Sequence, residues 1–188
     1  MILAGGRGSR MGGQDKGLLP VHGKPMISLI IERLQSQAGQ LIINANRNLS
    51  RYREFGFPVI SDDLEGFQGP LAGILAGLKA VHTPWMLCVP CDVPRPPRDL
   101  ALRLAQALKE KPAKMAVVHD GEKLQPAFAL IASELGDDLA AYMQTGGRKL
   151  RQWCATHHPA LADYSHAPRH FRNINSQEEL DIFLRSGS

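Results

Sequence analysis

The sequence predicts an α/β fold: a Rossmann-like, three-layer α/β/α arrangement around a mostly parallel sheet. Three observations point there. Short aliphatic or β-branched runs alternate with longer segments of helical period, the pattern of a parallel sheet covered by helices on both faces. Polar residues follow the apolar runs at what would be strand ends, where such sheets bind ligands. No repeat, low-complexity tract or linker divides the chain, so residues 1–188 read as one domain, large enough for a single core.

The elements follow in order. Leu3 is the tail of a first strand that runs into a Gly-rich loop. That strand should be central and five or six residues long. So few residues precede Gly5-Gly6 that it is either clipped or begins upstream of Met1, and the latter is expected. Residues 26–37 (MISLIIERLQSQ) form a helix, with Ile27, Leu29, Ile30, Ile31 and Leu34 as its apolar face. Leu41-Ile42-Ile43 and Val59-Ile60 are buried strands, ending in Asn44-Ala45-Asn46-Arg47 and Ser61-Asp62-Asp63. Pro70 opens a helix over 70–81, at a position where its missing N–H costs nothing. Residues 85–89 (WMLCV) are a central strand, broken by Pro90-Cys91-Asp92-Val93-Pro94. A helix over 98–109, a strand over 115–119, a turn at Asp120-Gly121 and a strand over 126–131 come next. Helices around 134–144 and 148–155 precede a last strand at 170–174, and Ser176 with Glu179 forms a capping box for the final helix.

Composition narrows the function classes. Apolar residues make up 44% and charged residues 21%, ordinary values for a globular protein. No apolar run reaches the roughly 18 residues of a membrane span, and the first residues lack a signal-peptide pattern. A cytoplasmic location without membrane contact is expected. Three cysteines are too few, and odd in number, for a disulfide framework. The net charge of +4 is spread without the dense basic blocks of a nucleic-acid arm, and suits small anionic substrates.

The segment from Leu3 to Lys16 carries the most chemistry. Its glycines, Gly5, Gly6, Gly8, Gly12 and Gly13, let backbone N–H groups face a phosphate, and Arg7, Arg10 and Lys16 supply positive charge. A Gly-rich basic loop can also be a plain solvated turn, but three cations directly after a strand favour a triphosphate. Spacing excludes two common phosphate loops. Lys16 is followed by Gly17 and preceded by Asp15, unlike a P-loop. After Gly6-Arg7-Gly8 the next glycine, Gly12, comes one residue late for a dinucleotide fingerprint, and no acidic residue ends the second strand.

Leu3-Ala4-Gly5-Gly6 with Arg10-Met11-Gly12 and Lys16 resembles the signature of the nucleotidyltransferase superfamily, whose fold is that of the nucleotide-diphospho-sugar transferases. It is especially similar to the molybdenum cofactor guanylyltransferase family. Asn44-Ala45-Asn46-Arg47, Asp62, Gly69-Pro70-Leu71-Ala72-Gly73, Pro90-Cys91-Asp92, Gln125-Pro126 and Asn173-Ile174-Asn175-Ser176 extend the likeness over nearly the whole chain. The glycine loop is specific to the superfamily; the Asn-Ala-Asn-Arg and Gly-Pro-Leu-Ala-Gly segments narrow it.

The resemblance implies GMP transfer from GTP to the phosphate of the molybdenum–molybdopterin cofactor, with Mg²⁺ as cofactor. The N-terminal half would bind GTP and the C-terminal half molybdopterin. Leu3, Ala4, Gly5 and Gly6 would line the nucleotide, the first three offering backbone groups to the base. Lys16 would neutralise charge at the α-phosphate, Arg10 at the β- and γ-phosphates, and Asp92 would hold the metal. Asn44 and Asp62 would read guanine or ribose, though both types are also common strand-end turn residues. Pro70, Leu71, Gly73, Arg148, Lys149, Asn173 and Asn175 would cover the second substrate, with Asn175 also near the metal. Where the family often has His before the proline, this chain has Gln125. Transient contacts with other cofactor-handling or acceptor proteins are implied as well.

Related readings are a cytidylyltransferase of the same cofactor, a sugar-phosphate nucleotidyltransferase, and a non-catalytic GTP-binding hand-over protein. Leu-Ala-Gly-Gly favours GTP over the Leu-Ala-Ala-Gly of cytidylyl relatives. The Cys88-Val89-Pro90-Cys91 spacing reads as coincidence, since the odd separation sends the two thiols to opposite faces of a strand. His157-His158 and the other histidines show no metal-ligand spacing.

Overall fold

The computed structural model describes residues 1–6, 13–62 and 69–185. The elements in chain order are β1 (Ile2–Leu3), β2 (Pro20–Val21), β3 (Lys24–Pro25), α1 (Met26–Leu34), β4 (Ile43–Asn44), α2 (Leu49–Arg53) and β5 (Val59–Ile60). They continue with α3 (Pro70–Ala80), β6 (Trp85–Pro90), α4 (Leu100–Glu110), β7 (Met115–His119), β8 (Leu124–Ala132), α5 (Gly136–Gln144), α6 (Leu150–Thr156), β9 (Ala160–Asp163) and α7 (Gln177–Arg185). Among the described residues seven strands form one sheet in the order β5-β4-β1-β6-β8-β7-β9. Only β8 runs against its neighbours, so the sheet is mostly parallel.

Period-two alternation sorts the side chains into two layers. On β6 and β7, Leu87, Val89, Ala116 and Val118 pack with α1 and α4 on one face. Met86, Cys88, Met115 and Val117 pack with α3, α5 and α6 on the other. Ile27, Ile30, Ile31 and Leu34 fall on one stripe of α1 and are all buried, each worth about 1.5–3 kcal/mol in burial. Cys88 and Cys91 lie in different layers, as their spacing requires. All three cysteines are unpaired and buried, and burial pushes the Cys88 thiol up to about 12, which leaves no reactive thiolate.

The structure corrects the sequence reading in places. The expected strand at 170–174 is absent; a 3-10 turn over Pro168–Phe171 takes its place. Pro168 has no N–H for a ladder, and Phe171 folds inward, edge-on to Phe128 at 4.9 Å and Tyr164 at 5.0 Å. The strand in that region is β9, whose inward residues are only Ala160 and Ala162. The second strand is shifted to Ile43–Asn44, which brings Asn44 into the ladder. The first helix ends at Leu34 rather than Gln37. The β2–β3 hairpin, turned at His22 and Gly23 (φ 49° and 78°), and the short α2 had no counterpart in the sequence reading. The left-handed pair His22-Gly23 matches the favoured two-residue hairpin turn.

Candidate active site

Parallel β1, β4, β5 and β6 end together, so Gly5, Asn46, Asp62 and Asp92 line one edge of the sheet. Three residues distant in sequence converge there. The Lys16 ammonium donates to Asp92 Oδ2 at 3.1 Å and to Asn175 Oδ1. Asn173 Nδ2 approaches the same Asp92 oxygen at 3.5 Å. The Lys16 and Asp92 side chains are 19% and 16% exposed, low enough to strengthen the pair and open enough to admit a ligand.

Different elements hold each member. Lys16 opens the 3-10 turn 16–18, closed by Leu18 N–H to Asp15 C=O at 3.0 Å. Asp92 follows the end of β6, and its carbonyl accepts from Ile174 N–H at 2.8 Å, which draws the 173–175 segment over the site. Asn175 is set by the cap of α7: Glu179 Oε2 accepts from the N–H groups of Asn175 and Ser176, and Ser176 Oγ from Glu179 N–H. Asp92 Oδ1 is buried with no hydrogen-bond partner among the described residues. An orphaned buried carboxylate oxygen is costly, and a cation beside it would remove the cost.

A second cluster lies on the β4–β5 side. Asn44, 1% exposed, donates to Asp62 Oδ1 at 2.8 Å, and Asn46 donates to Oδ2 at 2.7 Å. Asn46 Oδ1 in turn accepts from Asp62 N–H at 2.9 Å. The first turn of α3 packs against this network. A Cβ on Gly73 would overlap Asn44 Oδ1 and come within 2.9 Å of Leu3 Cδ2; one on Gly5 would lie 2.9 Å from Asn46 Nδ2. Only glycines permit that approach. Leu71 is fully buried in the α3 layer and offers no surface to a ligand, while Pro70 is exposed at the helix start.

Of the residues singled out in the sequence, Lys16, Asp92, Asn173 and Asn175 meet directly, and Leu3, Gly5, Asn44, Asp62 and Gly73 form the neighbouring cluster. Ala4 is buried between the two, its N–H bonded to Asn44 C=O at 2.7 Å, and Gly6 is exposed beyond it. Arg10, with Arg7, Gly8, Met11 and Gly12, lies outside the described residues. Arg148 does not point to the site; its guanidinium caps carbonyls of Met143 and Gly147 at 2.7 Å. Gln125 donates to Asp120, which two turn N–H groups also bond. Asn46 has a part that went unread, although its spacing of two from Asn44 was the available signal.

The family described as MobA-like NTP transferase domain matches residues 1–161. A molybdenum cofactor guanylyltransferase of Cupriavidus taiwanensis is 50% identical over 185 residues, covering 96% of this chain and 92% of its own. One from Shewanella putrefaciens is 46% identical over 183 residues, covering 97% and 94%. Among solved structures, the molybdopterin-guanine dinucleotide biosynthesis protein A of Archaeoglobus fulgidus superposes with a TM-score of 0.80 at 20% identity, over 98% of this chain and 96% of that one. The 2-C-methyl-D-erythritol 4-phosphate cytidylyltransferase of Thermus thermophilus superposes at 0.70 with 16% identity, over 98% and 96%. The structural likenesses establish the fold; the family match and the curated relatives go further, and place this chain in the molybdenum cofactor guanylyltransferase family of nucleotidyltransferases.

Proposed function

We propose that the protein transfers GMP from GTP to the phosphate of molybdenum–molybdopterin, releasing pyrophosphate and forming the guanine dinucleotide cofactor. The observation that carries this reading is the meeting of Lys16, Asp92 and Asn175 at the carboxyl edge of the sheet, in a chain 50% identical to a named guanylyltransferase. An oxygen of the pterin phosphate forms a bond to the α-phosphorus of GTP, and the bond from that phosphorus to the β-phosphate oxygen breaks, its electrons leaving with pyrophosphate. The attacking phosphate is ionised at neutral pH, so no general base is needed. Positioning and charge neutralisation supply the catalysis.

Lys16 has three donors, of which Asp92 and Asn175 take two among the described residues, and the third would serve an α-phosphate oxygen. Arg10 is assigned to the β- and γ-phosphates. Leu3, Ala4, Gly5 and Gly6 offer backbone to the nucleotide, and Asn44 and Asp62 the polar edge that reads base or ribose. Pro70, Leu71, Gly73, Asn173 and Asn175 are assigned to the pterin side, which divides the domain into a GTP half and a pterin half. Asp92 fits magnesium through its orphaned Oδ1. No group of three or more His, Cys, Asp or Glu converges among the described residues, so phosphate oxygens and water would complete the shell, as magnesium prefers. Bound there, the ion would neutralise phosphate charge and orient the triphosphate. No helix among the described residues is long and apolar enough to cross a membrane; a cytoplasmic enzyme handing its product to acceptor proteins through transient contacts fits this reading.

The test mixes protein, Mg²⁺, GTP and molybdenum–molybdopterin and measures pyrophosphate, with CTP and ATP as controls. Release that needs both GTP and the pterin is expected. Binding of GTP without release would leave a hand-over protein, and preference for CTP would reassign the base.

A further inference from the structure

The four polar residues among the five that follow Ile43 face two ways. Asn44 and Asn46 turn to Asp62, whereas Arg47 and Asn48 turn to residues 13–15, just before Lys16. Arg47 Nη1 donates to Gly13 C=O at 2.6 Å and Nη2 to Gln14 C=O at 2.8 Å. Its Nε stands 3.7 Å from Asp15 Oδ2. Asn48, in the left-handed region at φ 52°, donates to the same Asp15 oxygen at 3.0 Å. Tyr52 of α2 donates its hydroxyl to Asp15 Oδ1 at 2.5 Å. Tyr52 is fully buried, and burial, then nearby Cys91 and Asp15, push its pKa upward, so it remains a donor at any ordinary pH.

Asp15 is thereby gripped on both oxygens, with a side chain only 6% exposed, and its C=O accepts from Leu18 N–H. Lys16 rises from this held position. The Gly13 and Gln14 carbonyls belong to no strand or helix, and the Arg47 fork bonds both. We propose that Arg47 is a positioning residue for the transfer reaction: by fixing the limb Gly13–Asp15 it sets the Lys16 ammonium against Asp92 and Asn175, so that the strand end holding the base-side carboxylate Asp62 also holds the phosphate-side lysine. The inference rests on the role given to Lys16 above. A planar two-pronged guanidinium is required, since a lysine ammonium is a point charge that cannot hold the same two-carbonyl geometry.

Two readouts test it. In steady-state assays, Arg47→Ala should lower kcat by about tenfold or more, with KM for GTP changed by less than about threefold, because an ångström of misplacement costs rate before it costs binding. Arg47→Lys should be impaired nearly as much, and added guanidinium at non-denaturing concentration should restore part of the activity of Arg47→Ala but none of that of Lys16→Ala. In the Lys16→Ala background, Arg47→Ala should add little further loss. The second readout needs no turnover: acylation of the Lys16 amine by acetic anhydride, followed by peptide mass spectrometry, should quicken several-fold in Arg47→Ala relative to wild type at equal melting temperature. An unchanged Lys16 labelling rate, or full additivity of the two substitutions, would overturn the inference. A wild-type protein that releases no pyrophosphate would instead overturn the functional reading, and labelling would still decide the part played by Arg47.

Discussion

On one side of β6 the sheet consists of three strands of two residues each, β1, β4 and β5; on the other, β8, β7 and β9 run for nine, five and four residues. The long side is held by longer backbone ladders, with one register shift between Val117 and Val118 where β7 meets β8, and by aromatic packing of Phe128, Tyr164 and Phe171. The short side has little ladder to rely on, and its strand ends are tied by side chains: Asn44 and Asn46 to Asp62, Arg47 and Asn48 to the glycine loop. Polar groups assigned to the nucleotide are therefore also structural ties in the short half, whereas in the long half stability is separable from the site. Substitutions should divide accordingly.

The largest effect should come from the long half and touch stability alone. Trp153 is 1% exposed in the layer of α3, α5 and α6, so Trp153→Ala should cost about 3–5 kcal/mol. Melting should fall by roughly 10 °C, with KM for GTP unchanged in the protein still folded. A raised KM would show that the halves are coupled through the sheet. Lys16→Ala should do the reverse. It should lower kcat/KM by about 10² or more, equivalent to about 3 kcal/mol, while melting moves by only a degree or two, within the usual range for residues outside the core. Loss of both together would mean that Lys16 holds the fold as much as the phosphate.

The same division explains what could be read in advance. Asn44, Asp62 and Asp92 stand at or just past the ends of apolar runs, where the strand-end rule for parallel sheets places a site without any structure; Lys16 is legible instead from the Gly-rich basic segment and its likeness to the nucleotidyltransferase signature. The grip of Arg47 on Gly13 and Gln14 could not be read that way, because side-chain direction after a two-residue strand depends on a register that so short a run does not specify. The interaction spans 33 to 34 residues of chain and ends on backbone carbonyls, which leave no mark in the sequence. In the long half the misreading was of another kind. Ala160-Leu161-Ala162-Asp163 alternates as a strand should, but its inward residues are alanines and its outward leucine is half exposed, so the run carried too little apolar bulk to stand out. Residues 170–174 carry more apolar bulk in Phe171 and Ile174, yet Phe171 buries its side chain from a 3-10 turn and Ile174 from irregular backbone.

A middle-sized effect probes the seam of the short half. Gly73→Ala would drive a methyl into Asn44 Oδ1 and the Leu3 side chain, tilting the amide away from Asp62. A loss of about 1–2 kcal/mol in nucleotide binding is expected, or about tenfold in KM for GTP, with the larger share in KM rather than kcat because Lys16 and Asp92 are not displaced. An unchanged KM, measured with melting temperature as control, would remove Asn44 from the nucleotide contacts and weaken the contrast between the halves.

The smallest effect belongs to the long half and is read against pH. Asp138 Oδ1 accepts from the Trp153 indole N–H at 2.8 Å and meets His157 Nε2 at 2.8 Å. The indole bond, opposed by desolvation and then aided by His157, holds the Asp138 carboxyl below its ordinary value of 3.8. A carboxyl with a depressed folded pKa contributes stability that is fully present above its unfolded value and is lost as pH falls through the folded one. The side chain is 53% exposed, so solvent screening keeps the contribution small. Asp138→Asn should therefore lower the melting temperature by about a degree or two between pH 5 and 7, and the gap to wild type should close as pH is taken below about 4. Thermal melts across that range decide it. A gap that persists unchanged to pH 3 would assign the loss to packing around Trp153 rather than to the charge of Asp138.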